Sequence, residues 1–187
     1  MSKSPDAIVI GAGIVGTATA LALTNAGLKV LVIDRGNIAN GTTSAGEGNI
    51  LVSDKEPGAE LTLALHSRDT WFEINDDIGG GFELEAKGGL VVARSESGVT
   101  GLNYLASQQR KEGIVAQSAG TDELRKLEPY LSHSITEGVY YPQDAQCQPM
   151  LATALMLRTV QARGGNFLPY ANITAITTSQ ERVTGVL

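Results

Sequence analysis

Two short apolar runs flank a longer apolar stretch near the start of the chain, and together they predict a βαβ unit. Residues 7–10 (AIVI) and 29–33 (KVLVI) have the pattern of short strands that are buried on both faces. Residues 14–26 (IVGTATALALTNA) are rich in alanine and lack proline, so they predict a buried helix that ends at Gly27. Parallel strands joined in this way require a right-handed crossover.

Helical periodicity returns in longer segments further along the chain. Residues 59–78, about 98–112 and about 149–163 predict helices, each followed by glycine. Pro149 suits the first turn of the last helix, and Thr121 is expected to cap a shorter one.

The remaining apolar runs predict strands. Residues 82–85 and 89–93 are expected to pair with each other through the turn at 86–88. Further strands are expected at 137–141, 166–168, 172–177 and 182–187. Residues 36–50 are polar and turn-forming, and a long irregular segment in a compact chain is more often functional than idle.

Composition narrows the class of protein. The chain has 187 residues, 42% of them hydrophobic, and a formal net charge of −6, which argues against disorder and against nucleic acid as a partner. No apolar stretch reaches the roughly 18 residues of a membrane span, and the residues before the first strand are not expected to be a secretory signal. The single cysteine and two histidines exclude an internal disulfide and add little to any metal site. A reduced, cytoplasmic setting is therefore expected.

The motif that carries chemistry is Gly11-Ala12-Gly13-Ile14-Val15-Gly16, a G-x-G-x-x-G directly between the first strand and the first helix. Such glycines allow a tight turn, a close approach of pyrophosphate and close packing of helix on sheet. Asp34 ends the second strand, where an acid can accept hydrogen bonds from a ribose. These features predict a dinucleotide site. The alternative is a glycine-rich turn in a nucleotide-free α/β fold.

The loop after Asp34 bears on which dinucleotide is bound. Asp34 disfavours a 2′-phosphate by charge repulsion, although Arg35 weakens that argument. Residues 41–50 (GTTSAGEGNI) supply hydroxyls, backbone amides and open glycine positions that can follow a ligand from its ribose toward its ring. An NAD domain tends to continue with a regular helix and strand instead. An ordinary polar surface loop remains an alternative for this segment.

At this point the sequence resembles a known family. The glycine motif, Val32-Ile33-Asp34-Arg35-Gly36 and Thr42-Thr43-Ser44-Ala45-Gly46 are similar to FAD-dependent amino-acid oxidoreductases of the D-amino-acid oxidase superfamily. Residues 127–131 (LEPYL) and 138–142 (GVYYP), then Pro149 and Gly164-Gly165, follow in the family's order. The resemblance covers essentially the whole chain. It is closest to the β subunits of hydrogen cyanide synthase, opine oxidase and D-hydroxyproline dehydrogenase.

The resemblance implies an α/β fold: a Rossmann-like FAD-binding βαβ domain with part of a mixed-sheet substrate domain inserted. The FAD-binding domain would have a first segment at 1–81 and a second, incomplete segment at 147–187. The substrate or cap domain would occupy 82–146. Chains of this family are longer, so the sequence is expected to correspond to their N-terminal half.

The resemblance also implies cofactor-binding positions. Residues of the glycine-rich turn would wrap the pyrophosphate: Gly11, Gly13, Ile14 and Gly16. Asp34, where relatives often carry Glu, and Arg35 would flank the adenosine ribose and adenine. Hydroxyl residues would hold ribose or phosphate oxygens: Thr42, Thr43 and Ser44. Three others would approach the ribityl chain and flavin ring: Glu47, Gly48 and Asn49. Ile173, in the strand after Gly164-Gly165, would meet adenine through its backbone.

The implied activity is transfer of a hydride from the carbon beside an amine to flavin N5, after which the imine hydrolyses. The substrate would be a small amino acid or secondary amine, and no catalytic residue is assigned. The electron acceptor could be oxygen or, through partner subunits, a membrane quinone, and partner subunits of that kind would place the chain peripherally at the inner membrane. Two alternatives stay open: an NAD-binding dehydrogenase domain, and a truncated flavin-binding fragment without catalysis.

Overall fold

The computed structural model describes residues 4–187. In chain order the elements are β1 (Ala7–Ile10), α1 (Ile14–Asn25), β2 (Val30–Ile33), a 3₁₀ turn (Thr42–Ala45), β3 (Asn49–Ile50), α2 (Ala59–Ile78), β4 (Gly89–Val92), α3 (Glu96–Lys111), β5 (Gln117–Gly120), α4 (Thr121–Leu127), β6 (Glu137–Tyr141), β7 (Ala145–Gln146), α5 (Pro149–Ala162), β8 (Asn166–Leu168), β9 (Ile176–Ser179) and β10 (Arg182–Val186).

The chain divides into two compact units. The first contains the described residues up to Gly48, together with Ile78–Phe82 and Gln148–Leu187. The second contains Asn49–Asp77 and Glu83–Cys147. Residues 49–77, which the sequence analysis assigned to the FAD-binding segment, therefore belong by their contacts to the second unit. Helix α2 explains the difference, because Leu61 on its buried side packs into that unit's core.

The first unit is built on a parallel sheet in the order β1-β2-β8. Ala7 pairs with Val30, and Leu31 pairs with Asn166 on the other side of β2. The central strand is buried because α1 and α5 pack against each other and against the sheet. This arrangement confirms the βαβ unit that the apolar pattern predicted. It places the turn after β1 and the loop after β2 at the same edge of the sheet, because parallel strands share their carboxyl ends.

A two-stranded antiparallel hairpin, β9 and β10, follows β8 in the first unit. The strand expected at 172–177 begins only at Ile176, whereas the one expected at 182–187 is present as β10. The pairing shifts register between Val183 and Gly185.

The second unit contains an antiparallel sheet in the order β4-β6-β5 and a short pair, β3 with β7. Helices α3 and α4 pack on the sheet. Its main core includes Val52, Ala106, Val139 and Tyr141, all fully buried. Gln109 lies inside this core, where its Nε2 donates to the carbonyls of residues 52, 53 and 55. One buried amide thus holds the loop after β3 against α3.

Two local expectations were wrong, and one strand was not expected. Residues 82–85 form no strand, because Glu83 has a left-handed φ of 56° and only Glu85 bridges, to Gln146. Strand β4 pairs with β6 instead. Thr121 does not cap α4: the cap position is Gly120, and Thr121 Oγ1 donates to the Thr136 carbonyl at 3.4 Å. Strand β5 was not expected, because Gln-Ser-Ala-Gly carries almost no strand propensity.

Across residues 4–187, none of the helices combines the length and the apolar character needed to cross a membrane.

Candidate functional site

A cavity of about 1070 Å³ opens at the carboxyl edge of the parallel sheet. Every residue that lines it belongs to the first unit. It gathers most of the positions singled out in the sequence: Gly11, Gly13, Ile14, Gly16, Asp34, Arg35, Thr42 and Thr43. The turn after β1 and the loop after β2 therefore form one site.

Backbone conformation and close packing explain why the glycine-rich turn requires glycine at positions 11 and 16. Gly11 has a φ of +110°, a conformation that side chains strongly disfavour, and its N–H donates to the Ile33 carbonyl at 2.8 Å. A Cβ on Gly16 would lie 1.9 Å from the Gly11 carbonyl oxygen. No side chain fits at that position, so α1 can start against the turn only because residue 16 is glycine.

Asp34 braces the turn from the end of β2. Its Oδ2 accepts the Ala12 N–H at 2.7 Å, and its Oδ1 accepts the Gly36 N–H at 2.7 Å. The Ala12 carbonyl in turn accepts the N–H of Ala39 at 2.9 Å, and buried Ala39 has a left-handed φ of 55°. Both polar groups of Ala12 are thus tied to the loop after β2. Each carboxylate oxygen has a second lone pair, which leaves Asp34 able to accept a ligand hydroxyl.

Thr43 caps the first turn of α1 across the cavity. Its Oγ1 accepts the Ile14 N–H at 3.0 Å, and a Cβ on Gly13 would lie 3.1 Å from the same oxygen. Helix N-termini carry unpaired N–H groups and a partial positive charge, so this hydroxyl is polarised by the helix. Its own O–H remains a donor that an anionic ligand at the helix N-terminus can use.

Five predicted cofactor positions do not line the cavity: Ser44, Glu47, Gly48, Asn49 and Ile173. The Ser44 hydroxyl donates to the Gly41 carbonyl at 2.7 Å and so closes the 3₁₀ turn. Asn49 begins β3 in the second unit and pairs with Gln146. Ile173 lies in the irregular stretch between β8 and β9, so the expectation that it sits in a strand was wrong. Ligand contacts of these residues stay predictions.

The cavity also has an apolar wall that the sequence analysis did not single out. Ile10 is 53% exposed and Val15 is 77% exposed, and both line the cavity together with Pro149. The helical spacing of the motif could have indicated that the side chain of Val15 is exposed. Because Gly16 faces the sheet and successive residues turn by about 100°, the preceding side chain must point away from the protein interior. An exposed valine inside a binding motif is a candidate ligand contact.

Outside the cavity, the remaining candidates for chemistry among the described residues are metal ligands and a reactive thiol. Between residues 4 and 187, no three His, Cys, Asp or Glu side chains come together in a way that could hold a metal ion. Cys147 is buried in the second unit, and desolvation raises the pKa of its thiol to about 11. That thiol is therefore a weak nucleophile near neutral pH.

The comparisons with known proteins match this chain to a family model and to several relatives. The model of the DAO family, described as FAD dependent oxidoreductase, matches residues 6–187. The anaerobic glycerol-3-phosphate dehydrogenase subunit A1 of Haloferax volcanii is 29% identical over all of this chain, which spans 31% of that protein. Glycine oxidase of Bacillus licheniformis is 26% identical, with 94% of this chain and 48% of the relative covered.

A solved structure supports the same family assignment. The crystal structure of glycine oxidase from Bacillus cereus superposes with a TM-score of 0.89 and 27% identity, covering 98% of this chain and 51% of the other. This chain thus spans about half the length of the glycine oxidases that it matches. The family match confirms FAD as the cofactor and the mixed α/β fold. The chain belongs to the DAO family of FAD-dependent oxidoreductases.

Proposed function

We propose that this chain forms the dinucleotide-binding part of an FAD-dependent enzyme that oxidises the CH–NH bond of a small amino acid or secondary amine. The observation that supports the cofactor part is the cavity at Gly11–Gly16, where Asp34 and Thr43 accept hydrogen bonds from the N–H groups of Ala12 and Ile14 in the glycine-rich turn. Its volume of about 1070 Å³ is slightly above the usual range of small-molecule sites, which leaves room for a ligand as large as a dinucleotide.

The residues present fit FAD chemically. Gly13 keeps the backbone bare at the start of α1, where the helix N-terminus favours pyrophosphate. The Thr43 hydroxyl would donate to a phosphate oxygen, and the free lone pairs of Asp34 would accept from ribose. Arg35, exposed at the cavity, would flank the adenine side. When bound, the flavin supplies the acceptor for a hydride from the substrate carbon.

The proposal of an amine substrate is supported by the names of the relatives that this chain matches. Glycine oxidases match at 26% and 27% identity, and a D-amino acid dehydrogenase of Vibrio vulnificus matches at 23%. The imine product of such an oxidation would be hydrolysed by water. Hydrogen cyanide synthase subunit HcnC of Pseudomonas aeruginosa, 22% identical, is by its name one subunit of several, so we extend the proposal to a heteromeric assembly.

One observation favours a second function, oxidation of the CH–OH group of a polyol phosphate. The Haloferax volcanii glycerol-3-phosphate dehydrogenase subunit is 29% identical over the full chain, slightly above the glycine oxidases. Both functions use the same dinucleotide cavity. They differ only in the substrate that reduces the flavin.

The first experiment is a titration of the purified protein with FAD, followed by absorbance and by flavin fluorescence. Flavin bands that stay with the protein through gel filtration support the cofactor proposal. The comparison variant is Thr43→Val, which removes a hydroxyl from the cavity, and Gly101→Ala on α3 of the second unit is its control. Equal affinity of wild type and Thr43→Val would contradict the phosphate role of Thr43.

The second experiment distinguishes the substrates. Bound flavin is mixed anaerobically with glycine, sarcosine, a D-amino acid or glycerol 3-phosphate, and bleaching of its visible band is recorded. Bleaching by an amine supports the proposed CH–NH oxidation. Bleaching by glycerol 3-phosphate alone overturns it in favour of the second function.

A further inference from the structure

The cofactor cavity contains the only Asn-Gly pair of the sequence, Asn40-Gly41. Both residues are exposed, and they lie between β2 and the 3₁₀ turn. Asparagine followed by glycine is the dipeptide most prone to spontaneous loss of its amide, because glycine has no Cβ to shield its nitrogen from the side-chain carbonyl carbon. The cavity thus contains a chemically labile residue.

The two groups that would react are the side-chain amide of Asn40 and the backbone nitrogen of Gly41. Within the described residues, the Asn40 side-chain amide makes no hydrogen bond and the Gly41 N–H donates none. Gly41 has φ −129° and ψ −139°, and nothing lies within 4 Å of the point where its Cβ would be. The side chain of Asn40 can therefore rotate toward the Gly41 nitrogen without first breaking a hydrogen bond.

Asn37, three residues earlier, provides the contrast. Its Oδ1 accepts the N–H of Ile38 at 2.8 Å, so this amide is held in place. The nitrogen that would have to attack it belongs to Ile38, and the β-branched side chain of Ile38 shields that nitrogen, which makes Asn37 the less reactive of the two asparagines. Both asparagines are exposed in the same loop, so differences in solvent access do not separate them.

We propose that Asn40-Gly41 is a spontaneous deamidation site that converts the cofactor cavity to a more acidic form. The Gly41 nitrogen loses its proton and bonds to Cγ of Asn40, and ammonia leaves to give a cyclic imide. Water then opens the ring and leaves aspartate or isoaspartate at position 40. The net reaction consumes one water and releases one ammonia, with no oxidant or enzyme.

The new carboxylate arises beside an existing one. A Cβ placed on Gly36 would lie 3.1 Å from Asn40 Nδ2 and 3.6 Å from Asp34 Oδ1, so both side chains meet above Gly36. A second negative charge there opposes the phosphates of a dinucleotide and the charge of Asp34 itself. This step rests on the proposed function. It predicts that the aged chain binds FAD roughly tenfold more weakly than the fresh chain.

The first part of the test measures the deamidation reaction itself, without FAD. The purified protein is held at 37 °C at several mildly alkaline pH values, digested, and mapped by mass spectrometry with a method that separates aspartate from isoaspartate. We expect Asn40 to lose its amide faster than Asn37, at a rate that rises with hydroxide concentration. Gly41→Ala is the matched control, because the space for its Cβ is open, and it should slow the reaction sharply.

FAD titration of fresh protein, aged protein and the Asn40→Asp variant completes the test. Weaker binding by the last two supports the proposal, as does protection of Asn40 by saturating FAD. Deamidation of Asn40 no faster than of Asn37 overturns it, and so does unchanged affinity in Asn40→Asp. If fresh protein binds no FAD, the proposed function and the affinity step fall together, while peptide mapping still decides the deamidation itself.

Discussion

The Ala12 N–H donates to Asp34 Oδ2 at 2.7 Å, so the acid at the end of β2 holds the residue between the two glycines that begin the motif. Its other oxygen holds Gly36 in the same way. A dinucleotide motif assigns this acid to the ribose. Here the carboxylate also fixes the shape of the turn, so its ligand role and its structural role cannot be separated by removing the side chain.

Asp34→Asn tests this double role. An amide keeps one acceptor oxygen but turns an NH₂ toward one of the two backbone donors, which leaves a buried or half-buried N–H without its partner. We expect a loss of about 1–3 kcal/mol in the free energy of unfolding, measured by urea denaturation. FAD affinity, measured by flavin fluorescence, should fall as well.

Asp6→Asn is the matched control for that variant. Asp6 Oδ2 accepts the N–H of Lys29 at 2.9 Å, at the opposite, amino end of β1 and β2. It is an exposed carboxylate–amide contact remote from the cavity-lining residues, so its variant should keep FAD affinity. A drop in affinity as large as that of Asp34→Asn would show that the effect is not specific to the cavity.

Thr43 gives a prediction about the helix end. Thr43→Val replaces the hydroxyl by a methyl of similar size, leaves the Ile14 N–H uncapped, and should cost about 1 kcal/mol of stability. Thr43→Ser keeps the acceptor oxygen and should restore most of both stability and FAD binding. Thermal denaturation and FAD titration of the three proteins measure this. Full stability and FAD binding in Thr43→Val would contradict the role of the hydroxyl, and failure of serine to rescue would mean that the methyl is needed in addition to the hydroxyl.

Gly16→Ala should prevent α1 from packing at the turn, because its Cβ would lie 1.9 Å from the Gly11 carbonyl oxygen. We expect loss of FAD binding and a much lower unfolding midpoint by circular dichroism. Gly101→Ala is the control within a helix: nothing lies within 4 Å of its Cβ position, and it should gain about 1 kcal/mol of stability. A stable, FAD-binding Gly16→Ala protein would contradict the close approach.

The parts of the site that sequence reasoning could predict are those made by neighbouring residues. The turn from β1 into α1 depends on Gly11 and Gly16, whose spacing fixes their roles wherever they occur between strand and helix. The cap on Ile14 comes from Thr43, in a separate loop, and no local pattern specifies which of the hydroxyls at 42–44 reaches it. The tertiary packing of the first unit determines which hydroxyl caps Ile14.

The errors in the second unit have the same origin. Residues 82–85 alternate as a strand does, but a left-handed Glu83 breaks the extended backbone and only a single bridge forms. β5 forms from residues with weak strand propensity because β6 offers it a partner along four residues, 117–120. At β5, tertiary pairing overrode local preference, whereas at residues 82–85 the left-handed backbone of Glu83 did so.

Gln109 and Tyr141 allow a test of the second unit's core. Tyr141 Oη donates to Gln109 Oε1 at 2.8 Å, and both residues are fully buried. Gln109→Leu would leave the carbonyls of residues 52, 53 and 55 without this donor, and we expect a loss of about 2–4 kcal/mol, more than for Tyr141→Phe.

The double variant shows whether the two residues act as one network. Since Tyr141→Phe removes only the Oη–Oε1 bond, much of its cost should vanish once Gln109 is leucine. Urea denaturation of the four proteins gives the coupling directly. Strictly additive losses would show that the amide and the phenol stabilise the core independently.

Cys147 makes the last prediction, and it concerns pH. Burial raises the pKa of its thiol from 9.0 to about 11, because the folded protein disfavours the thiolate. The stabilising contribution of the neutral thiol is therefore complete below pH 9. It is lost as pH rises toward 11, where the unfolded chain gains by releasing the proton.

Two measurements check this behaviour, and the sole cysteine of the chain makes both readouts clean. Alkylation by iodoacetamide at pH 8 should be slow in the native protein and fast in urea, because little thiolate exists in the folded state. The unfolding free energy of wild type should fall between pH 9 and 11 more steeply than that of Cys147→Ala, which has no thiol to ionise. Rapid alkylation of fully native protein at pH 8, or identical pH slopes for the two proteins, would mean that the thiol is not held neutral by burial.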